Sequence, residues 1–329
     1  MNNKNIQNKI NLQTFRLLLI LFLYPILSAP AQAAAIGLDN QPTLVIGQDS
    51  QSISDFINRL SNSKSAQDWF YPDGIMVYTA INDPRGLSEP ADHGAGINHA
   101  DDILRKFPKM QVVQIGLYLK YMLTEIVNGG LDENIDKLGK WIKDSKKDVY
   151  LRIGYEFDNP DNEYAPAEYV KAYRYIVDRL REFGVNTVHY VWHTIAWKDK
   201  TWPGYNPLAW YPGDEYVDWV GISFFDSKRD KERRLAVKIA HAKKKPLMIA
   251  ESSPFNQYSV EEKSEWLNQL FEFISQNHIK FISYINVNWD DLLLFKAMKW
   301  GDARLQKHPE LLEQWLRHIE KFRRTGQRE

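Results

Sequence analysis

The sequence predicts an α/β protein with a single-domain (β/α)8 TIM barrel, and three observations lead to this prediction. Eight short apolar runs alternate with amphipathic helical stretches along the 329-residue chain. Strands separated by helical patterns indicate βαβ units, and eight such units suit a closed parallel barrel. The residues after position 34 suffice for a barrel of about 250 residues. A doubly wound open sheet is the alternative, because the pattern alone does not distinguish the two.

The elements can be read from the chain in order. The predicted strands are Thr43–Gly47, Gly74–Ile81, Met110–Leu119, Asp148–Tyr155, Thr187–His193, Val217–Phe225, Pro246–Ala250 and Phe281–Trp289. Between them, Pro166 begins a helix whose apolar residues recur every three or four positions, and Gly184 follows its end. The same pattern predicts helices over Leu131–Ile142, Val260–Ile274 and Pro309–Phe322. Two long segments, Asp83–Asn98 and Trp197–Gly213, are predicted binding loops.

The N-terminal residues 1–34 have the pattern of a cleaved signal peptide. Basic residues lead into the apolar run Leu17–Leu27, and Ala31–Ala33 has the A-x-A spacing of a cleavage site. An uncleaved anchor is the alternative, but the run falls short of the roughly 20 apolar residues of a span. We therefore predict a secreted or periplasmic protein, without a membrane anchor after cleavage, whose residues 35–329 form the barrel.

Composition excludes several classes of function. The sequence has no cysteine, which excludes disulfides and thiolate chemistry, and its 42 basic and 42 acidic residues leave no net charge. No basic face indicates a nucleic-acid partner. The eight histidines are scattered without a metal-binding motif, and phosphate-loop and dinucleotide motifs are absent. We predict no metal and no cofactor, whereas the oligomeric state is not determined by the sequence.

Two glutamates close apolar strand-like runs. Glu156 ends the run from Val149, and Glu251 ends the run from Pro246. Catalytic residues of TIM barrels lie at the C-terminal ends of strands. Hydrolysis of a glycosidic bond needs two carboxyl groups that face each other across it. Glu156 and Glu251 are therefore the predicted catalytic pair, although a terminal charge can also simply leave the core for solvent.

Arg152 strengthens this prediction. Side-chain alternation predicts two shared faces, one of Arg152, Gly154 and Glu156 and the other of Leu247, Ile249 and Glu251. A cation inside a buried strand needs a carboxylate partner, and either Glu251 or Glu156 would serve. The alternative is a structural ion pair without chemistry.

The predicted mechanism is double displacement. Ionised Glu251 attacks the anomeric carbon, and protonated Glu156 donates its proton to the leaving oxygen, because the charge of Glu251 holds the pKa of Glu156 up. This retaining route predicts carboxyl groups about 5–5.5 Å apart, whereas a separation near 9 Å would indicate inversion.

Other residues are candidates for sugar binding. Trp289 ends the eighth run and is either a floor under the sugar or core filler. Trp197 lies in a long loop, where it would stack on a sugar ring or pin the loop. His193 ends the fifth run and would bond a sugar hydroxyl or a glutamate, or serve the structure. Asp158 is a rival carboxylate, but aspartates in such positions commonly cap helices or face solvent.

Several stretches resemble glycoside hydrolase family 26 of clan A, which holds β-mannanases with some β-xylanases and β-glucanases. They are Leu151–Glu156, Tyr211–Ser223, Pro246–Glu251 and Trp300–Arg304. The resemblance covers nearly all of the chain after the signal segment. It implies Glu156 as the acid/base and Glu251 as the nucleophile, and Arg152 and Trp289 match the family pattern.

Two positions depart from that pattern. The family's mannanases usually have histidine before the acid/base, where this chain has Tyr155. They usually have a tyrosine bonded to the nucleophile near the end of the sixth strand, where Phe225 has no hydroxyl to donate. A β-glucan, β-xylan or bacterial exopolysaccharide is therefore as credible a substrate as mannan. The predicted substrate-binding residues are Arg152, Tyr155, His193, Trp197, Phe225 and Trp289.

These observations predict a retaining hydrolase of β-linked polysaccharide or oligosaccharide, with residues 35–329 as the catalytic domain. A carbohydrate-binding barrel without turnover is the alternative from another class. A relative within clan A that acts on short oligosaccharides in a closed pocket is a third possibility.

Overall fold

A computed structural model describes residues 42–62, 68–196, 205–226 and 230–325. All of them belong to the compact unit Ala35–Glu329. The predicted signal peptide at residues 1–34 and Trp197, a predicted sugar-binding residue, lie outside the described residues. None of the helices in these ranges combines the length and apolar character that crossing a membrane requires.

Eight parallel strands close into a barrel, which confirms the predicted fold and overturns the open-sheet alternative. Each strand pairs with the next along the chain, and the eighth pairs with the first in parallel. The strands are Thr43–Gly47, Gly74–Ala80, Val112–Tyr118, Asp148–Ile153, Val188–Thr194, Trp219–Phe224, Leu247–Ser252 and Phe281–Ile285. All carboxyl ends of the strands therefore meet at one mouth, where TIM barrels carry their sites.

Helices cover the barrel because each crossover between parallel strands needs one. They are Ser50–Ser61, Ala100–Lys106, Leu123–Val127, Asp132–Ser145, Pro166–Glu182, Asp230–Lys243, Val260–Gln276 and Pro309–Thr325. The four helices predicted in detail are confirmed within three residues at either end. Ser259 and Glu262 form a capping box that begins the helix Val260–Gln276.

Strand alternation divides the apolar residues into two layers. One buried cluster joins the strands to the helices and contains Leu247 and Ile249. The other fills the barrel and contains Met248, Ala250 and Tyr150. The predicted shared face of Leu247, Ile249 and Glu251 is therefore wrong.

A β-bulge at Ala250 turns Glu251 towards the interior. Ile249 pairs with Ile222, whereas Glu251 pairs with Ser223, so that Ala250 is an extra residue in the seventh strand. Gln114 supports the bulge from inside the barrel, since its Nε2 donates to the Ala250 carbonyl at 2.6 Å. The bulge corrects the face that simple alternation gives Glu251.

The chain bends sharply before Glu156. The fourth strand ends at Ile153, and Gly154 (φ +58°) and Glu156 (φ +52°) both have left-handed backbone conformations. Glycine suits the first position, because a Cβ there would lie 2.7 Å from the ring of Tyr169. The predicted alternation of Arg152, Gly154 and Glu156 along one strand is thus wrong, and Glu156 is placed by a turn.

Candidate active site

Glu251 lies at the barrel mouth with two donors on one oxygen. The guanidinium of Arg152 forms an ion pair with Glu251 Oε1, and the Tyr78 hydroxyl donates to the same oxygen at 2.7 Å. Arg152 is fully buried and Glu251 is 5% exposed. The prediction that Arg152 needs a carboxylate partner is confirmed, and the partner is Glu251. A buried carboxylate with such donors is compensated for the loss of water.

Tyr78 was not predicted from the sequence. It lies on an inward position of the second strand, and Gly116 on the third strand leaves the room for it, since a Cβ there would lie 2.6 Å from its ring. Burial and the charge of Glu251 raise the pKa of Tyr78 well above its usual value, so its hydroxyl remains a donor. The hydroxyl that Phe225 lacks thus comes from another strand. The signal in the sequence that could have identified Tyr78 was a hydroxyl-bearing residue within an apolar strand.

Glu156 has weaker, neutral partners. Ser223 Oγ donates to Glu156 Oε1 at 2.7 Å, and Asn159 Nδ2 donates to Oε2 at 3.1 Å. Burial and, next, the charge of Glu251 raise the pKa of Glu156 to about 8. At neutral pH this carboxyl group is therefore protonated and available as an acid.

A chain of polar contacts connects the two glutamates. Arg152 Nη1 lies 3.4 Å from His193 Nδ1, and His193 Nε2 lies 2.9 Å from Ser223 Oγ. Burial and the nearby guanidinium hold the pKa of His193 well below its usual value, so the ring is neutral. Because arginine only donates, Nδ1 accepts and Nε2 carries the proton towards Ser223. The order of contacts is Glu251, Arg152, His193, Ser223 and Glu156.

His193 is fully enclosed in this arrangement. Its predicted bond to a glutamate is indirect, since it passes through Ser223. The buried ring has no free edge for a sugar hydroxyl in this structure. Ser223, like Tyr78, was missed because a serine in an apolar strand resembles a neutral core position.

Tyr155 lies beside Tyr78 and Arg152, the two partners of Glu251. Its half-buried ring meets the Tyr78 ring edge-on with centroids 5.2 Å apart, and the guanidinium carbon of Arg152 lies 5.5 Å from its centroid. Tyr118 at the end of the third strand follows with a centroid distance of 6.1 Å. The structure thus places Tyr155 at the site, and its contact with sugar stays a prediction.

The remaining predicted aromatics form a cluster in the loops after the sixth and eighth strands. Trp289 lies in a short 3-10 turn beyond the eighth strand and is 3% exposed. Its ring packs 4.9 Å from the centroid of Trp300, which in turn lies 6.0 Å from Phe225. Trp300 and Phe225 are half-buried. Trp289 is thus packed against Trp300, and its role as a sugar floor stays a prediction.

Asp158 serves the structure. It is 1% exposed and accepts hydrogen bonds from Thr194 Oγ1, the Ile195 N–H and the Tyr205 hydroxyl. These bonds fix the start and end of the segment after the fifth strand. Asp158 therefore neither faces solvent nor competes with Glu156. In the ranges that the structure describes, no group of three or more acidic or histidine side chains could hold a metal ion.

Comparison with known sequences finds similarity to one family of glycosyl hydrolases. The model of glycosyl hydrolase family 26 matches residues 153–276. The chain is 30% identical to a β-1,3-xylanase from a Vibrio species over 300 residues, which are 82% of this chain and 63% of that protein. It is also 30% identical to a β-1,3-xylanase from an Alcaligenes species, over 84% of this chain and 63% of that protein. The chain thus spans less than two thirds of the length of these relatives.

Solved structures share the fold. A family 26 β-mannanase from Bacteroides ovatus superposes with a TM-score of 0.59 at 13% identity, covering 86% of this chain and 90% of that chain. A modular endo-β-1,4-mannanase from Cellulomonas fimi gives 0.56 at 17% identity, covering 85% and 70%. At such identities the likeness shows the barrel alone.

Proposed function

Since the chain belongs to glycosyl hydrolase family 26, we propose that it hydrolyses a β-linked polysaccharide with retention of anomeric configuration. The observation that carries this proposal is the unequal partnering of two buried carboxyl groups at one barrel mouth. Glu251 has a cation and a hydroxyl on one oxygen, whereas Glu156 has only neutral partners and a raised pKa. Pairs of carboxyl groups pushed to opposite protonation states identify an acid and a nucleophile.

In the first step Glu251 attacks the anomeric carbon and forms a glycosyl ester. The bond to the leaving oxygen breaks, and Glu156 delivers its proton to that oxygen. In the second step water attacks the anomeric carbon of this glycosyl ester, Glu156 removes the water's proton, and the bond from the anomeric carbon to Glu251 breaks to release its carboxylate. The loss of the Glu251 charge in the ester lowers the pKa of Glu156, which suits its change from acid to base.

The remaining partners position these groups. Arg152 and Tyr78 hold one oxygen of Glu251 and leave the other for attack. Both also stabilise the carboxylate as it is released in the second step. Ser223 holds the Glu156 carboxyl through one oxygen.

The first substrate to test is β-1,3-xylan. Both curated relatives named above are β-1,3-xylanases, and the chain differs from the mannanase pattern at Tyr155 and Phe225. Linear β-mannan and β-glucan are the comparison substrates. We also propose that residues 1–34 direct export, on the pattern of their sequence, which the N-terminal sequence of the mature protein would test.

The test is the release of reducing ends from these polymers by the wild type, Glu251→Ala and Asp73→Ala. Asp73 forms an ion pair with Arg323 away from the barrel mouth, so its variant controls for the loss of the carboxylate partner of a buried arginine. We expect release that disappears only in Glu251→Ala, and NMR of the first products should show the substrate's own anomer. A folded wild type that binds a polymer without releasing ends would replace this proposal with the non-catalytic binding barrel. Products of the opposite anomer would replace retention with inversion.

A further inference from the structure

An exposed tyrosine stands at the barrel mouth outside the site described above. Tyr121 follows the third strand and is 74% exposed. The rings of Tyr78, Tyr155 and Tyr118 follow one another from Glu251, with successive centroids 5.2 and 6.1 Å apart. Tyr121 follows Tyr118 by three residues of sequence beyond the end of the third strand, and we call these four residues the tyrosine strip.

The backbone at Tyr121 is strained. Its φ is +66°, within a turn closed by the Met122 N–H and the Leu119 carbonyl at 3.0 Å. This conformation favours glycine, and a bulky side chain adopts it at a cost in free energy. Tyrosine therefore occupies a position where local stability favours another residue, and such outliers are found at ligand sites.

The ring of Tyr121 is held in place although it is exposed. Its hydroxyl lies 3.3 Å from Glu163 Oε1, and Lys120 Nζ lies 4.9 Å from the ring centroid. Lys120 also forms an ion pair with Glu163 at 2.7 Å and donates to the Asp161 carbonyl. Asp161 and Glu163 belong to the loop that carries Glu156. The Tyr121 ring is thus tied to the loop that carries Glu156, and the cation beside it, Lys120, is paired.

We propose that Tyr121 is a distal binding site for a pyranose ring of a neutral β-linked polysaccharide, beyond the rings bound at the glutamates. An aromatic ring offers an apolar face on which the C–H face of a pyranose packs, and Tyr loses little conformational entropy on binding. Because Lys120 is paired with Glu163, the cation beside the ring is not free to attract an anionic glycan, which suits a neutral one. The inference rests on the proposed function, because it takes the polymer bound at Glu156 and Glu251 to continue along the tyrosine strip.

The test measures polysaccharide affinity in the Glu251→Ala background, where hydrolysis does not consume the probe. The probes are β-1,3-xylan, β-mannan and β-glucan, each followed by affinity electrophoresis. We expect Tyr121→Gly to weaken binding of the preferred polymer about five- to tenfold, the size of one aromatic contact, and Tyr121→Trp to retain it. Because glycine relieves the backbone strain, the melting temperature of Tyr121→Gly should equal or exceed that of the parent.

Phe183 provides a matched control. It is an exposed aromatic with Lys143 Nζ 5.3 Å from its ring centroid, but it follows the helix Pro166–Glu182 and so lies at the opposite end of the barrel. Phe183→Ala should bind the polymer as the parent does.

Unchanged affinity of Tyr121→Gly, or an equal loss in Phe183→Ala, would overturn the inference, as would a parent that binds none of the probes. A loss for a disaccharide glycoside as large as that for the polymer would also overturn it, because a distal site acts on long chains. The proposed function fails separately, when the protein with Glu251 intact binds polymer and releases no reducing ends.

Discussion

Each end of the barrel carries an arginine–carboxylate pair whose arginine is buried, and only the pair at the carboxyl ends of the strands belongs to the candidate site. At the carboxyl ends of the strands, Arg152 pairs with Glu251. At the amino ends, Arg323 pairs with Asp73 at 2.8 Å. Both arginines are buried, and both carboxylates accept a second hydrogen bond, from Tyr78 and from the Leu44 N–H respectively. Taken singly, the two pairs follow the same rule for buried charge.

The difference lies in what surrounds each guanidinium. The other acceptors of Arg323 are the carbonyls of Pro42 and Tyr71, which tie the last helix to the barrel. Arg152 instead contacts a neutral histidine, and through it Ser223 reaches a second carboxyl group. A buried ion pair is thus a structural element by default. A second carboxyl group, connected to it and held in the other protonation state, makes it a candidate for chemistry.

The largest difference between the two ends should come from replacing their carboxylates, Glu251 and Asp73. Glu251→Gln keeps the shape of the side chain and removes the proposed nucleophile, so we expect kcat on polymer to fall by roughly 10⁴-fold or more. Asp73→Asn should leave kcat within about threefold of the wild-type value, because Asp73 lies far from the barrel mouth and the effects of distant sites are independent. The initial rate of reducing-end release measures both. Residual activity of Glu251→Gln above a hundredth of wild type would assign the nucleophile elsewhere.

Removal of the acid should have a smaller effect that depends on the leaving group. We expect Glu156→Gln to lower kcat by about 10²–10⁴-fold on polymer, the usual contribution of general acid catalysis. The dinitrophenolate of a dinitrophenyl glycoside leaves without needing a proton. With this substrate, the rate of the first, glycosylation step should therefore fall far less. Burst kinetics separate that step from hydrolysis of the ester. If the burst-phase rate falls equally for both leaving groups, Glu156 is not the general acid.

The arginines test the comparison through stability as well as activity. Arg152→Met leaves Glu251 buried without its cation and should lower the free energy of unfolding by about 3–5 kcal/mol. Arg323→Met should cost less, because the Asp73 side chain is 24% exposed and keeps contact with water. Urea unfolding measures both losses. Only Arg152→Met should also lower kcat/KM of the folded protein, and an equal kinetic loss in both variants would erase the distinction between the ends.

The smallest expected effect concerns the pH dependence of the rate. Glu156 acts as an acid only while protonated, so kcat/KM should fall as pH rises through its pKa of about 8. The Ser223 hydroxyl stabilises the ionised form and lowers this pKa, so its removal in Ser223→Ala should move the alkaline limb to higher pH, by about one unit. Ser223→Thr keeps the hydroxyl and should restore the wild-type limb. If the alkaline limb of the pH profile does not move in Ser223→Ala, then Ser223 does not influence the protonation of Glu156.

Sequence periodicity determined the alternation of helices and strands, because these elements are specified by neighbours a few residues apart. All eight strands were placed by apolar runs, and helix ends by residues such as Pro166. Burial energetics further predicted a carboxylate partner for Arg152, since an unpaired cation in a strand is too costly. Glu156 and Glu251 were identified by their positions at the ends of runs.

The tertiary structure alone decided how those residues meet. Tyr78 contacts Glu251 across 173 residues of sequence, and Ser223 contacts Glu156 across 67. Such contacts depend on barrel closure, which brings the inward face of one strand against a distant one, and no local pattern encodes it. The bulge at Ala250 and the left-handed turn at Glu156 act in the same way, because one inserted or inverted residue reverses the face that alternation predicts. The sequence therefore identified the two candidate carboxyl groups, whereas closure of the barrel supplied the different partners that each of them contacts.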